Sequence, residues 1–152
     1  MLNIVLYEPE IPHNTGAVGR LCVGLGARLH LIEPLGFRMT DSAVKRCGLD
    51  YWEHLDCRVY MNWGVFLESE VPAELVFFTR HVDKNLYETS YPDGVYLVFG
   101  SESRGLPRSL HEQYADRMRC IPMPGEYARS INLANAVAIA AYEAYRQMHS
   151  TA

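Results

Sequence analysis

The sequence predicts an α/β fold, a mostly parallel sheet with helices on both faces. Short, near-continuously apolar runs recur at 2–7 (LNIVLY), 28–33 (RLHLIE), 74–79 (ELVFFT) and 95–100 (VYLVFG). They have the length and composition of strands buried on both sides. Segments of helical character alternate with them, as the crossovers of a parallel sheet require. The 152 residues, 49% hydrophobic and 21% charged, read as one domain over 1–152 with one core.

Each element has a local reason. The first strand ends at Glu8-Pro9, and Asn14 is the expected N-cap of a helix through NTGAVGRLCVGLG that Gly24 and Gly26 end. RLHLIE is stopped by Pro34, and Thr40 or Asp41 caps a helix through SAVKRC that Gly48 closes. CRVYM, the short helix WGVFLESE and ELVFFT continue the alternation. VYLVFG runs straight into the polar loop SESRGLP, and Pro107 suits the first turn of a helix through SLHEQYA. MRCIPM reads as the last strand and SINLANAVAIAAYEAYRQMH as a long C-terminal helix with Ser130 as its natural N-cap. There is no linker, repeat or low-complexity stretch.

The last helix carries two apolar stripes, Leu133, Val137, Ala140, Ala144 and Met148 on one face and Ile131, Ala134, Ala138 and Tyr142 on another. Such a helix is buried on more than one side. It is either the central helix of a monomer or shared with a second copy, and the small size of the chain favours the second copy.

Composition removes several classes. Lys and Arg number 14 against 18 Asp and Glu, a formal charge of −4, so any polyanion must meet a local basic face. The opening MLNIVLYEPE has no basic n-region, so no signal peptide is expected, and no apolar run approaches a membrane span. Cys22, Cys47, Cys57 and Cys120 are scattered, and the six histidines show no i,i+4 metal pair, so reduced thiols in the cytoplasm and no metal are expected. A GxGxxG fingerprint and a Walker motif are both missing, which removes the main supports for dinucleotide and P-loop chemistry.

Three segments remain as candidate sites. GSESRG (100–105) lies between a strand and a helix, where small residues let backbone groups approach a ligand, although the turn itself also needs glycine. NTGAVGR (14–20) puts Arg20 nearly two turns into a helix, where an isolated arginine is usually a solvated surface residue. IPMPGEYARSINLAN (121–135) carries Ser130, Asn132 and Asn135 at a helix start, where each has a sufficient structural role. Glu8 and Glu10 read as solvated charges.

Taken together and in this order, NTGAVGR, LVFGSESRGLP and IPMPGEYARSINLANAVAIAAYEA resemble the three motifs of the SpoU (TrmH-like) branch of the SPOUT methyltransferases. The opening LNIVLYEPEIPHNTG and the terminal YEAYRQ look closer still to the small single-domain tRNA (cytidine/uridine-2'-O)-methyltransferases of the wobble position. The resemblance covers essentially the whole chain. It implies a C-terminal trefoil knot, a homodimer built on the first and last helices, and S-adenosyl-L-methionine held in the knotted loops and released as S-adenosyl-L-homocysteine. The reaction it implies is methylation of the ribose 2'-hydroxyl of nucleotide 34, in the tRNA anticodon stem-loop, with leucine isoacceptors as expected substrates.

Carried over by position, the resemblance makes Arg20 catalytic, with Asn14 supporting its loop. It assigns the cofactor to Phe78, Thr79, Gly100, Glu102, Gly105, Ile121, Met123, Ser130, Asn132 and Leu133. Arg46, Arg104, Arg129 and Tyr142 are the candidate RNA contacts, drawn from a wider basic set that also holds Arg38, Lys45, Arg80, Lys84 and Arg108. Two competing readings are methylation of another tRNA or rRNA ribose, and a catalytically silent RNA- or nucleotide-binding dimer on the same fold.

Overall fold

A computed structural model describes residues 1–40, 42, 44 and 51–150. In chain order the elements are β1 (Asn3–Tyr7), α1 (Pro12–Leu25), β2 (Arg28–Ile32), β3 (Cys57–Tyr60), α2 (Trp63–Glu70), β4 (Leu75–Phe78), β5 (Tyr96–Phe99), α3 (Arg108–Gln113), β6 (Met118–Arg119) and α4 (Leu133–His149). The strands form one sheet in the order β3-β2-β1-β5-β4-β6, and all five pairings are parallel. Of the helix expected through SAVKRC only Ser42 and Val44 are described, both helical, and Arg46 falls outside the described residues.

β1 is the central strand, and its Ile4, Val5 and Leu6 have no exposure. Because successive side chains alternate across the sheet, the strands feed two cores. Ile4, Leu6, Leu29, Leu31 and Leu97 pack with α1 and α4 on one face, and Val5, Ile32, Phe77 and Val98 pack with α2 and α3 on the other. Each large side chain taken wholly out of water contributes roughly 1.5–3 kcal/mol, so both layers are needed to close the sheet.

Three element boundaries differ from the expectation. α1 begins at Pro12 with Ile11 at the N-cap position, and Asn14 lies buried within the first turn. Proline fits the first helical position because the missing N–H would be unpaired there anyway. The expected stop does hold, since Gly26 takes φ 67° and its N–H reaches the carbonyls of Cys22 and Val23. α4 begins at Leu133, with Asn132 and not Ser130 as its N-cap, accepting from the Asn135 N–H at 3.2 Å. Ile131 therefore precedes the helix. Of MRCIPM only Met118–Arg119 joins the sheet, Cys120 adds an isolated bridge to Asn85, and the chain then leaves the sheet at Ile121.

The α2 face contains a buried polar cluster. His30 meets the Tyr60 hydroxyl at 2.9 Å through Nδ1 and the Asn3 side-chain oxygen at 2.9 Å through Nε2. Glu70 accepts from the Tyr96 hydroxyl and from Arg58, each at 3.1 Å, and its carboxylate stands 3.6 Å from His30.

Candidate active site

The C-terminal ends of β4, β5 and β6 and the starts of α1 and α4 enclose a cavity of about 640 Å³. The outer side of the carboxyl ends of parallel strands, near the reversal of strand order between β1 and β5, is where such sheets accept ligands. The volume suits a small organic molecule. Phe78 and Phe99, stacked at 4.9 Å and 9°, form part of the wall where the two strands end.

The loop after β5 folds back on itself. Ser101 and Gly105 exchange N–H···O bonds of 3.2 and 2.9 Å, and Gly105 sits at φ 66°. A Cβ on Gly100 would stand 2.2 Å from the Gly105 carbonyl carbon and 2.3 Å from the Leu106 nitrogen. Glycine at 100 is thus required by closure of the loop itself, and its backbone needs no ligand to explain it.

Two carboxylates tie this loop to the segment before α1. Glu102 accepts the N–H of Glu10 at 2.8 Å, the N–H of Ile11 at 2.7 Å and the Asn14 amide at 3.2 Å. Since Ile11 supplies no side-chain cap, Glu102 places an acceptor and a negative charge at the start of α1, where the helix dipole favours both. In return Glu10 accepts from the Ser103 hydroxyl at 2.6 Å and the Ser103 N–H at 3.2 Å. These Ser103 bonds hold the Glu10 carboxyl below its ordinary pKa. The other side of Asn14 accepts from the Asn132 amide at 2.9 Å. Residues 10–14, 102–103 and 132, far apart in sequence, are therefore fastened together at the cavity wall.

Phe78, Thr79, Gly100, Glu102, Gly105, Ile121, Met123, Ser130, Asn132 and Leu133 all line this one cavity, and so do Asn14, Arg104 and Arg129. Arg20 is exposed on α1 outside it, with its guanidinium carbon 5.0 Å from the centre of the Tyr51 ring. Tyr142 is exposed on α4, also outside the cavity, with its ring centre 6.2 Å from that of Tyr145. Glu10 is a correction to the solvated reading, because its carboxylate bonds the neighbouring loop. Arg80, which the sequence offered only within the wider basic set, also lines the cavity, and so do His81 and His111, which sequence reasoning passed over. Arg80 and His81 follow directly on Phe78-Thr79, so adjacency was their available signal, whereas His111 and the Glu10–Ser103 pairing depend on contacts that no local pattern encodes. Among the described residues no group of three or more His, Cys, Asp or Glu is arranged to hold a metal ion. Nor is any helix among them long and apolar enough to cross a membrane.

The model of the SpoU rRNA methylase family matches residues 1–142. A tRNA (cytidine(34)-2'-O)-methyltransferase of Escherichia coli K12 is 48% identical over 97% of this chain and 94% of its own. A solved structure described for the 2-OH methylation of C/U34 on tRNA superposes with a TM-score of 0.91 at 49% identity, covering 97% of this chain and 95% of that one. The SpoU methyltransferase AviRb of Streptomyces viridochromogenes, solved with AdoMet, shares the fold with a TM-score of 0.84 at 24% identity, over 97% of this chain and 57% of that one.

Proposed function

This chain belongs to the SpoU rRNA methylase family, and from that premise we propose that it methylates the ribose 2'-hydroxyl of nucleotide 34 in tRNA, with S-adenosyl-L-methionine as donor. The observation that carries the reading is the convergence of three sequence-distant motifs on one cavity of about 640 Å³. The near-full-length identity to a cytidine(34) enzyme supports the choice of nucleotide. Leucine isoacceptors, a cytoplasmic location and a single methyltransferase domain over 1–152 belong to the same proposal.

The residues present fit the cofactor. Ile121, Met123 and Leu133 offer apolar walls for an adenine, while Thr79, Ser130 and Asn132 bring polar groups suited to the methionine carboxylate and amine. Bound there, S-adenosyl-L-methionine supplies an electrophilic methyl on a sulfonium and leaves as S-adenosyl-L-homocysteine. The protein's task is then to orient the ribose hydroxyl and help its proton depart. A guanidinium offers five N–H donors and no acceptor, so Arg20 serves as a grip on an adjacent phosphate and a stabiliser of negative charge growing on the 2'-oxygen. A phosphate oxygen or water accepts the proton. Asn14, bonded to both Glu102 and Asn132, keeps the start of α1 in register with the cavity. Arg104 and Arg129 at the wall, Arg46 and Tyr142 are assigned to RNA.

The active form is a homodimer on α1 and α4, and Arg20 serves the partner's cavity. Support comes from its place outside its own cavity and from Ile139 and Tyr145, which stay 39% and 41% exposed on α4. The C-terminal trefoil knot completes the reading, supported by the way 121–133 shares one cavity with the loops after β4 and β5.

Purified protein, labelled donor and tRNA test the function. Label on the 2'-oxygen of nucleotide 34 is expected, and label on another ribose of tRNA or rRNA, or none, overturns it. Arg20→Ala should lower single-turnover transfer about 100-fold or more with cofactor affinity retained. Mixed dimers of Arg20→Ala with Gly100→Ala should regain activity, since each mixed dimer rebuilds one complete site. Absence of rescue places Arg20 in its own subunit's site.

A further inference from the structure

The cations of this protein divide by whether an acidic group already answers them. Arg28 pairs with Asp56, Arg58 with Glu70, Arg108 with Glu112, Arg117 with Glu74 and Arg146 with Glu143. At the cavity Arg104 stands 4.0 Å from Glu10, but among the described residues the Arg80 side chain has no hydrogen bond or ion pair, and it is exposed at the cavity wall. His81, its neighbour, faces His111 of α3 with ring centres 6.0 Å apart at 63°, and neither ring has a hydrogen-bond partner among those residues. The bond from the His81 N–H to the Thr79 hydroxyl, 3.3 Å, fastens the turn that carries both Arg80 and His81. The one carboxylate lining the cavity, among the described residues, is Glu102, and it is engaged by backbone N–H groups of residues 10 and 11.

A guanidinium and two imidazoles gathered on one rim, with no acid among them, are donors in search of an acceptor. In a chain of net charge −4 a polyanion must meet a local group of donors that no acid answers, and this rim is one. We propose that Arg80, His81 and His111 form a docking notch for the RNA backbone, binding a phosphate next to the ribose that is methylated. The inference rests on the proposed RNA substrate and names residues that position it. The guanidinium presents a fork that matches a phosphate, and the imidazole N–H groups, carried by a different element, fix the approach.

The test measures the affinity of an anticodon stem-loop RNA at several salt concentrations and, separately, of S-adenosyl-L-homocysteine by calorimetry. Arg80→Ala and the double variant His81→Ala/His111→Ala should each weaken RNA binding by about tenfold. The slope of log affinity on log salt should become shallower by about 0.7 for each phosphate the variant no longer neutralises. Cofactor affinity should stay within about twofold. Arg117→Ala, which removes a cation already paired with Glu74, should bind RNA as the wild type does. Unchanged RNA affinity and salt slope in the double variant overturn the notch, as does a loss of cofactor affinity with RNA binding intact. A wild type that binds the stem-loop through the notch but leaves nucleotide 34 unmethylated overturns the proposed reaction and not the notch. Normal methylation with normal binding by the variants does the reverse.

Discussion

Two polar networks lie on either side of this molecule, and they are built for different ends. Around His30 every partner is inside the protein. Asn3 and Tyr60 satisfy its two nitrogens, Glu70 and Arg58 stand behind, and the rings of Tyr60, Phe66 and Tyr96 surround it at 5.3–5.7 Å. Around Glu102 the carboxylates bond backbone N–H groups instead, holding loops at the edge of an open cavity whose remaining charged groups are cationic. Burial with a displaced pKa thus marks the structural cluster here. The candidate site is distinguished by braced loops, open volume and, among the described residues, an arginine at position 80 without a counter-ion.

The contrast can be broken from either side. The largest effect is expected from Gly100→Ala, whose new Cβ meets backbone at 2.2 Å and forces the loop open. S-adenosyl-L-methionine affinity in calorimetry should fall about 100-fold, the upper end of what overpacking costs. Retained affinity would mean that the loop does not shape the cavity. Glu102→Ala comes next. It leaves the N–H groups of residues 10 and 11 without their acceptor, which costs about 1–3 kcal/mol in a denaturant titration, and it should weaken cofactor binding as well. A stability loss with unaltered cofactor binding would separate the brace from the cavity.

The smallest effect belongs to the His30 cluster. Burial drives the His30 pKa from 6.5 down to about 4. The unfolded chain therefore takes up this proton first, and stability is lost as pH falls from 6.5 towards 4. Burial by itself would raise the Glu70 carboxyl, but His30, Tyr96, Tyr60 and Arg58 outweigh it and hold it below its ordinary value. That contribution also disappears on acidification, so the signs agree. Between about pH 7 and pH 5 the stability should drop by about 1–2 kcal/mol, read as a lower thermal midpoint. His30→Gln should flatten this dependence and leave cofactor affinity alone. A steep slope in that variant would move the acid sensitivity elsewhere.

Much of the site was legible because its pieces are local. A strand end, a glycine-bearing loop and a helix start each have a sequence pattern, and the ten positions that the family resemblance assigned line a single cavity. What escaped depends on partners distant in the chain. Ser130 and Asn132 are equally good caps by type, and Asn132, the one used, is also bonded to Asn14, 118 residues away. Glu10 looks like an ordinary surface charge until Ser103 is brought beside it. The second apolar stripe of α4 was legible as a pattern, yet within one chain Tyr142 remains more than half exposed.

By itself the amino-acid order determined the α/β alternation, the apolar strands and the three motif segments, because propensity, turn chemistry and hydrophobic period act over a few neighbouring residues. Only the tertiary structure decided that Glu102 caps a helix it does not belong to, that Arg20 stands outside its own cavity, and that Arg80, His81 and His111 share one rim. Those outcomes depend on hydrogen bonds and charge compensation between residues many positions apart, which exist only once the sheet has set the distances.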